Sequence, residues 1–424
     1  MNQPTPAIVA QSAVRRLPRF VLLLLGLIYV LAGFVGREPW KSADMSAFGY
    51  MAELASASGS GSWLNPRLLG LEPEVDALLP YWLGAAAIKI APTWIPPEVA
   101  TRLPFMVLLA LTLLATWHAV YNLARSPLAQ PVAFAFGGEA DPADYARAMA
   151  DGGLLALLAT LGLTQLSHEI TPALAQLSFG ALLFYAASAM PYRVVGPTIC
   201  AIIGIVGLAL SGAPTIAVLL GAGITVISWT GGADEPQGRA RRWSIAMALL
   251  TLMVAAVAGA LDLWRWRIVL PPGDGRDWQS LGRLLLWFTW PAWPLALWAL
   301  WSWRKQLIGG QPGRHLALPL WFAAVAVATT VSTSASDRSL LLALPALAAL
   351  AAFALPTLRR SMAALIDWFT LLFFSVWAIV IWFMWIAMQT GVPPRPAANV
   401  ARLLPGYDPQ FQPHLFVMAL AASL

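Results

Sequence analysis

Apolar runs of about fifteen to twenty-four residues recur along the whole chain, at residues 20–35, 100–123, 152–166, 173–190, 194–210, 215–229, 244–261, 284–303, 316–331, 339–355 and 366–388. Short connectors carrying charge, proline or glycine separate them. An α-helix needs roughly 20 apolar residues to cross a hydrocarbon core about 30 Å thick, whereas a barrel strand would show ~10-residue alternation. The pattern predicts an all-α polytopic membrane protein, a bundle of about 11–12 transmembrane helices. Two mixed segments, 45–57 and 78–90, follow the first run. Their alternation of polar and apolar positions suits helices lying in the interface, and Pro92, Pro96 and Pro97 close the second. A further short helix is expected at 141–150, inside a Pro/Gly-punctuated loop at 125–151. The last run, 415–424, is too short to cross, so the chain is expected to stop within a helix, with its remainder and a C-terminal region missing.

Composition narrows the class further. Of the 424 residues, 59% are hydrophobic and 11% charged, against about 25% charged in soluble domains. Basic residues stand at alternate ends of the runs: Arg15, Arg16 and Arg19, then Arg193, then Arg239, Arg241 and Arg242, then Arg304, Lys305 and Arg314, then Arg359 and Arg360. Positive charge collects in cytoplasmic loops, which places the N-terminus in the cytoplasm and makes 36–99 an external loop. The net charge of +6 and the pI near 9.8 follow from this topology signal, so no nucleic-acid partner is expected. The 21 tryptophans agree with aromatic belts at membrane interfaces. No small-residue cleavage site follows the run at 20–35, which is expected to stay as the first span. One transmembrane domain over 1–424 is expected, with residues 100–388 forming the remaining membrane bundle and 389–414 an external segment. The single cysteine, Cys200, lies in an apolar run and offers neither a disulfide nor a metal cluster.

On this topology the polar outliers gather on the external side. Asp44 stands just past the first span. It is placed either as a general base for an acceptor hydroxyl or amine, or as a solvated acid or helix N-cap. Glu169, beside His168 at the top of two spans, reads as a second catalytic or acceptor-orienting acid or as an interfacial turn residue. The loop 262–283 holds Arg265, Arg267, Arg276 and Arg283 against Asp262, Asp274 and Asp277. A basic loop on the side normally depleted of positive charge fits a phosphate or pyrophosphate, to which Arg offers bidentate geometry. The alternative is that Arg265 and Arg267 snorkel beside Trp264 and Trp266. Arg67, in a Pro-bracketed turn, and Arg338, beside Asp337, complete the external cations. His118 reads as a hydrogen-bonded core or helix-end residue and Asp367 as an end-of-helix charge. Zinc spacing, a phosphate-loop glycine pattern and a nucleophile elbow are lacking, which leaves a divalent cation as the sole cofactor to consider.

The stretch from Trp40 through Asp44, then GSWLNPRLLG at 61–70, PYWL at 80–83 and ATRLP at 100–104, resembles the N-terminal half of the aminoarabinose transferases. These are polytopic glycosyltransferases of the GT-C class, related to the protein O-mannosyltransferases. The family pattern is a span, an acidic motif in the first external loop, a Gly-Asp-Trp turn, a Lys-Pro-Pro helix ending in Tyr-Trp, and Arg-x-Pro at the second span. Later pieces match more loosely: His168-Glu169, residues 278–303 with Pro291 and Pro294, and Asp337-Arg338 ahead of LLLALPALAAL. The similarity reaches over most of the chain, with motifs dense only in the first hundred residues. It implies a polyprenyl-phosphate-linked sugar as donor, Asp44 at the catalytic acid position and Glu169 near the second acidic position. Tyr81 and His168 would join the external arginines in binding substrate. Three departures stand out: Met45, Ala47 and Phe48 replace the acid and Arg-Tyr that follow the family's Asp, Asp76 stands where the family has its phosphate-binding Lys, and Arg338 stands near a later external Lys.

The expected function is therefore a membrane glycosyltransferase of the bacterial inner membrane with a periplasmic active site. It would move a sugar from a polyprenyl-phosphate donor to lipid A, another glycan or a protein, in contact with membrane lipid. The alternatives are a divergent non-catalytic relative and a transporter or flippase of a lipid-linked substrate. Few mid-span charges and no internal repeat speak against a transporter.

Overall fold

The computed structural model describes residues 5–14, 17–36, 39, 41–57, 63–230, 237–264, 275–308, 313–333, 337–403, 406, 413–414, 416–417 and 420. The chain divides into two compact units, residues 1–30 with 38–357, and residues 31–37 with 358–424. Among the described residues the regular structure is helical, with isolated β-bridges at Ala10–Glu139 and Leu68–Leu71.

In chain order the helices are α1 (Arg19–Phe34), α2 (Ser42–Ser56), α3 (Leu79–Ile90), α4 (Pro97–Ala124), α5 (Pro142–Leu158), α6 (Leu161–Leu166), α7 (Pro172–Ala189), α8 (Val195–Leu210) and α9 (Pro214–Thr230). They continue with α10 (Gln237–Ala260), α11 (Gly275–Phe288), α12 (Ala292–Ser302), α13 (Arg304–Ile308), α14 (Arg314–Ser332), α15 (Asp337–Leu340), α16 (Leu344–Ala354), α17 (Arg360–Thr390) and α18 (Pro394–Leu403). Six described helices are long and apolar enough to cross a membrane, and the bent pair α11–α12 would make a seventh. The shorter apolar helices α1, α8 and α9 rise about 24–26 Å at 1.5 Å per residue. Each apolar run at 20–35 through 366–388 is at least largely helical.

Two of those runs are broken where the sequence pattern predicts continuous spans. The run at 152–166 is not a separate helix: α5 begins at Pro142, behind an Asp141 cap whose carboxylate accepts from the Ala143 amide at 2.9 Å. It then runs through the acid and glycines at 151–153. Asp151 is tolerated because its carboxylate is filled, accepting from Trp117 Nε1 at 2.8 Å and from the Leu17 amide at 3.3 Å. The helix stops instead at Thr160, whose hydroxyl bonds the Leu157 carbonyl at 2.7 Å. The run at 284–303 is split by Pro291, which has no N–H to donate, and α11 and α12 meet at 85°. Helix α11 starts at Gly275, so residues 275–283 are helical where a loop is expected. The two breaks touch: the Leu161 amide donates to the Trp290 carbonyl at 3.0 Å, and Gly162 faces the Phe288 ring.

Small side chains let the central helices approach closely, as membrane packing requires in the absence of a hydrophobic drive between helices. Nearly every side chain of the alanine-rich α7 and α16 is buried. Helix α7 lies between α4 and α8, and α16 packs on α12, α5 and α14. At Gly204 of α8 a Cβ would stand 2.9 Å from the Leu183 amide nitrogen and 2.9 Å from the Phe179 carbonyl oxygen, both backbone atoms of α7. Helix α3 packs on α2 through Gly84, where a Cβ would run into the Met51 sulfur.

The connectors sort into two sets at opposite ends of the first unit. In one, the N-terminal arm lies along the 125–151 loop, with Val132 donating to the Ala7 carbonyl at 2.9 Å and Arg147 donating to the Leu17 carbonyl at 3.1 Å. The same end brings Gln306 to the Leu128 carbonyl and Arg314 to the Ala187 carbonyl. The other set joins Leu78 to the Leu210 carbonyl at 2.8 Å, and Leu78 packs with Ala258 and Leu263. In the second unit, α17 carries no charged residue after Asp367 and closes on Gly391 in the left-handed region at φ 71°. Its rings pack along one face, Phe369 stacked on Phe373 at 5.6 Å and Phe373 edge-on to Trp377 at 6.0 Å.

Gly204→Leu forces α8 off the backbone of α7 and is expected to lower stability in detergent by about 1–3 kcal/mol, the usual range for overpacking. Gly282→Ala, whose Cβ meets nothing within 4 Å, is expected to be neutral or slightly stabilising. Thermal unfolding of the two purified variants checks the contrast.

Candidate active site

A polar cluster forms where the start of α2, the turn between α6 and α7, and α15 meet. Helix α2 opens after Lys41, which keeps extended backbone angles (φ −88°, ψ 149°) and makes no side-chain cap. Asp44 therefore sits inside the first helical turn and is not the N-cap. Its buried carboxylate leaves the helix and accepts from the Ile170 amide, Oδ1 to N at 2.7 Å. The first turn of a helix favours negative charge through its unpaired amides and dipole.

Glu169 precedes that amide by one residue and is also buried. Its carboxylate bridges two cations, with Lys41 Nζ 2.8 Å from Oε1 and Arg338 Nη2 3.1 Å from Oε2. Lys41 Nζ also donates to the Gln165 carbonyl at 3.0 Å. A carboxylate buried on this scale is costly unless it is paired and hydrogen-bonded, and here two cations pair with it. Asp44, Glu169, Lys41 and Arg338 carry two formal charges of each sign. His168 belongs to the framework of the turn: Nε2 donates to the Tyr29 carbonyl of α1 at 2.8 Å, which leaves Nδ1 to accept from Ser167 Oγ at 3.3 Å. The Tyr29 and His168 rings lie 5.2 Å apart.

The remaining expected residues sit elsewhere or beyond view. Arg67 reaches Glu72 at 3.3 Å and the Gly70 carbonyl at 3.4 Å. It thereby braces the turn in which Leu69 donates to Glu53 at 2.9 Å. Glu53 lies nine residues beyond Asp44, about 13 Å along α2. Tyr81 is buried on Tyr50 with ring centroids 5.4 Å apart. Burial chiefly, then the nearby Tyr50, Asp76 and Glu74, push its phenol well above the usual tyrosine range. Tyr50 itself donates to the Glu72 carbonyl at 2.9 Å, so Arg67 and Tyr81 both belong to the support of α2. Arg265 and Arg267 lie outside the described residues, as does the side chain of Arg276, whose backbone opens α11. Helix α11 itself runs beside α6 and α15, which carry the approach to Glu169 and Arg338.

Lys41 is the residue that sequence reasoning missed. It stands three positions before Asp44, and a cation one turn from a candidate carboxylate at a helix start was the available signal. Its pairing with Glu169, 128 positions later in the chain, leaves no local trace. Among the described residues, no three His, Cys, Asp or Glu side chains group as a metal site requires.

No family model and no curated protein matches the sequence. The fold is similar to that of ArnT from Cupriavidus metallidurans, an aminoarabinose transferase of the GT-C class, in two crystal structures. The apo structure is 16% identical with a TM-score of 0.55, over 95% of this chain and 74% of that one. The second, bound to undecaprenyl phosphate, gives the same identity and TM-score over 95% of this chain and 75% of that one. The GT-C bundle implied by the motifs in the first hundred residues is the fold observed.

Removing the imidazole that holds the turn to α1 tests the framework directly. His168→Ala is expected to cost about 1 kcal/mol locally and to raise amide exchange at 167–171 roughly fivefold, with α7 unchanged beyond its first turn. Hydrogen-exchange mass spectrometry reads both segments.

Proposed function

We propose that this protein is an inner-membrane glycosyltransferase that moves a sugar from a polyprenyl-phosphate donor to an acceptor hydroxyl or amine. The observation that carries the proposal is a buried carboxylate, Glu169, paired with Lys41 and Arg338, while the amide of the next residue, Ile170, holds a second buried carboxylate, Asp44, at one end of the bundle. The bundle shares its fold with an enzyme crystallised with undecaprenyl phosphate.

Asp44 is the general base. Its Oδ1 is oriented by the Ile170 amide, and a carboxylate held in this way takes the acceptor's proton as the acceptor attacks the anomeric carbon. The bond from that carbon to the phosphate oxygen breaks, and polyprenyl phosphate leaves with the bonding electrons. Charge therefore develops on the phosphate, and a cation aimed there lowers the barrier. Arg338 and Lys41 are the cations beside the carboxylates, and they supply the charge that Asp76 cannot supply at the family's lysine position. Arg265 and Arg267, which precede α11 in the sequence, and Arg276, at its start, are the further cations assigned to the lipid phosphate. Attack from the face opposite the leaving phosphate inverts the anomeric centre. The acceptor class is lipid A, another glycan or a protein.

Orientation follows from charge. Arg19, Arg193, Arg239 and Arg314 mark the end of the bundle that carries the N-terminal arm, and positive charge is retained in the cytoplasm. The carboxylate cluster lies at the other end, which faces the periplasm.

Asp44→Asn keeps the shape and removes the base. Sugar transfer from a polyprenyl-phosphate-linked donor in proteoliposomes is expected to fall about 10²–10⁴-fold, with binding of the lipid phosphate retained. Transfer at the wild-type rate by Asp44→Asn would remove the assigned mechanism.

A further inference from the structure

The cations that serve a donor phosphate are already occupied. Lys41 and Arg338 come from separate parts of the chain and converge on the two oxygens of one carboxylate, at 2.8 and 3.1 Å. Two donors on two oxygens of one anion is also the pattern by which cations hold a phosphate monoester. The exposures differ sharply: the side chains of Lys41 and Arg338 are 25% and 33% exposed, whereas that of Glu169 is 2% exposed. The cations thus keep an open face, with the carboxylate packed beneath them.

Resting on the proposed donor site, we infer that Glu169 is an internal stand-in for the donor phosphate. It holds Lys41 and Arg338 until the phosphate of a polyprenyl lipid displaces it. The sugar-linked donor is a phosphodiester with one charge, equal to that of Glu169, whereas the polyprenyl phosphate freed by transfer is a monoester with about −1.5 to −2 charges near neutral pH, so the freed lipid phosphate competes with Glu169 most strongly. The exchange has two consequences. With the donor absent, the cation pair is neutralised in part and holds neutral or weakly charged lipids poorly. With the donor present, the Glu169 carboxylate is released beside Asp44, where it can accept a hydrogen bond from the acceptor. Lys41 becomes a donor-binding residue, and Glu169 a residue that sets donor affinity through Lys41 and Arg338.

An internal competitor raises the apparent dissociation constant by the reciprocal of the fraction of molecules in which it has let go. Glu169→Gln, which removes the charge and keeps the shape, is therefore expected to bind undecaprenyl phosphate about tenfold tighter than wild type. Lys41→Gln and Arg338→Gln are expected to bind it about tenfold more weakly. Glu169→Asp, one methylene shorter, keeps the charge but loosens its reach and is expected to fall between wild type and Glu169→Gln; it decides the matter if Glu169→Gln does not fold. The measurement is titration of the purified full chain in nanodiscs with undecaprenyl phosphate, undecaprenol and a phosphatidate, with thermal unfolding of each variant alongside. Undecaprenol is expected not to bind tightly.

Equal or weaker binding of undecaprenyl phosphate by a folded Glu169 variant overturns the inference, since Glu169 would then be helping to orient the cations. Wild-type binding in that same experiment would leave the proposed function standing. Phosphatidate binding as tight as undecaprenyl phosphate, with Glu169→Gln still tighter, supports the displacement but counts against a polyprenyl donor. No binding by wild type or any variant overturns both.

Discussion

One buried carboxylate connects three distant parts of this chain. Glu169 joins the start of α2 through Lys41 and α15 through Arg338, while the next amide, Ile170, fixes Asp44. A charge this deep is weak grounds for stability in itself, because its desolvation offsets most of the attraction. Its value lies in position: it sets two cations from distant parts of the chain against one carboxylate, beside the amide that holds Asp44. The helices around it are arranged to make that possible. Helices α5 and α6 break at Thr160, so the 167–171 turn approaches α1, and His168 bonds the Tyr29 carbonyl. Helix α11 meets α12 at 85° beside Pro291, and its length passes α6 and α15.

The remainder of the first unit is a close-packed frame for this end. Small residues on α7, α8 and α16 permit backbone approach that larger side chains would prevent. Gly204 of α8, facing two backbone atoms of α7, has no room for a methyl group. On the site side, Gly84 of α3 receives Met51 of α2, and Tyr50, Glu53, Arg67 and Glu72 brace the far part of α2. Helix α2 is thereby held along its length while its first turn is left to the carboxylate cluster.

Much of this was legible in the amino-acid sequence, for physical reasons that can be named. Apolar runs near the length of a bilayer determine where helices lie, and the alternation of basic ends predicted which connectors share an end. The contacts between the N-terminal arm and the 125–151 loop, and between Leu78 and Leu210, follow that alternation. The helix breaks were harder. Asp151 looked like a loop residue, because only the folded chain supplies Trp117 and the Leu17 amide to satisfy it. Asp44, Glu169 and Arg338 were each visible as polar outliers on one side of the membrane. Their joining through Lys41 was not, because an ion pair across 128 positions depends on packing that no local pattern encodes. Arg67 and Tyr81 stood in the motif-rich loop, and the fold uses them to support α2.

The central claim is that a lipid phosphate binds at the Lys41–Arg338 end of the bundle. Native mass spectrometry of the protein extracted gently from a bacterial membrane tests it most directly. The expected spectrum shows a polyprenyl phosphate bound one to one, diminished when both Lys41 and Arg338 are replaced by glutamine. A spectrum with no polyprenyl phosphate, or with one that survives the double replacement undiminished, would contradict the account.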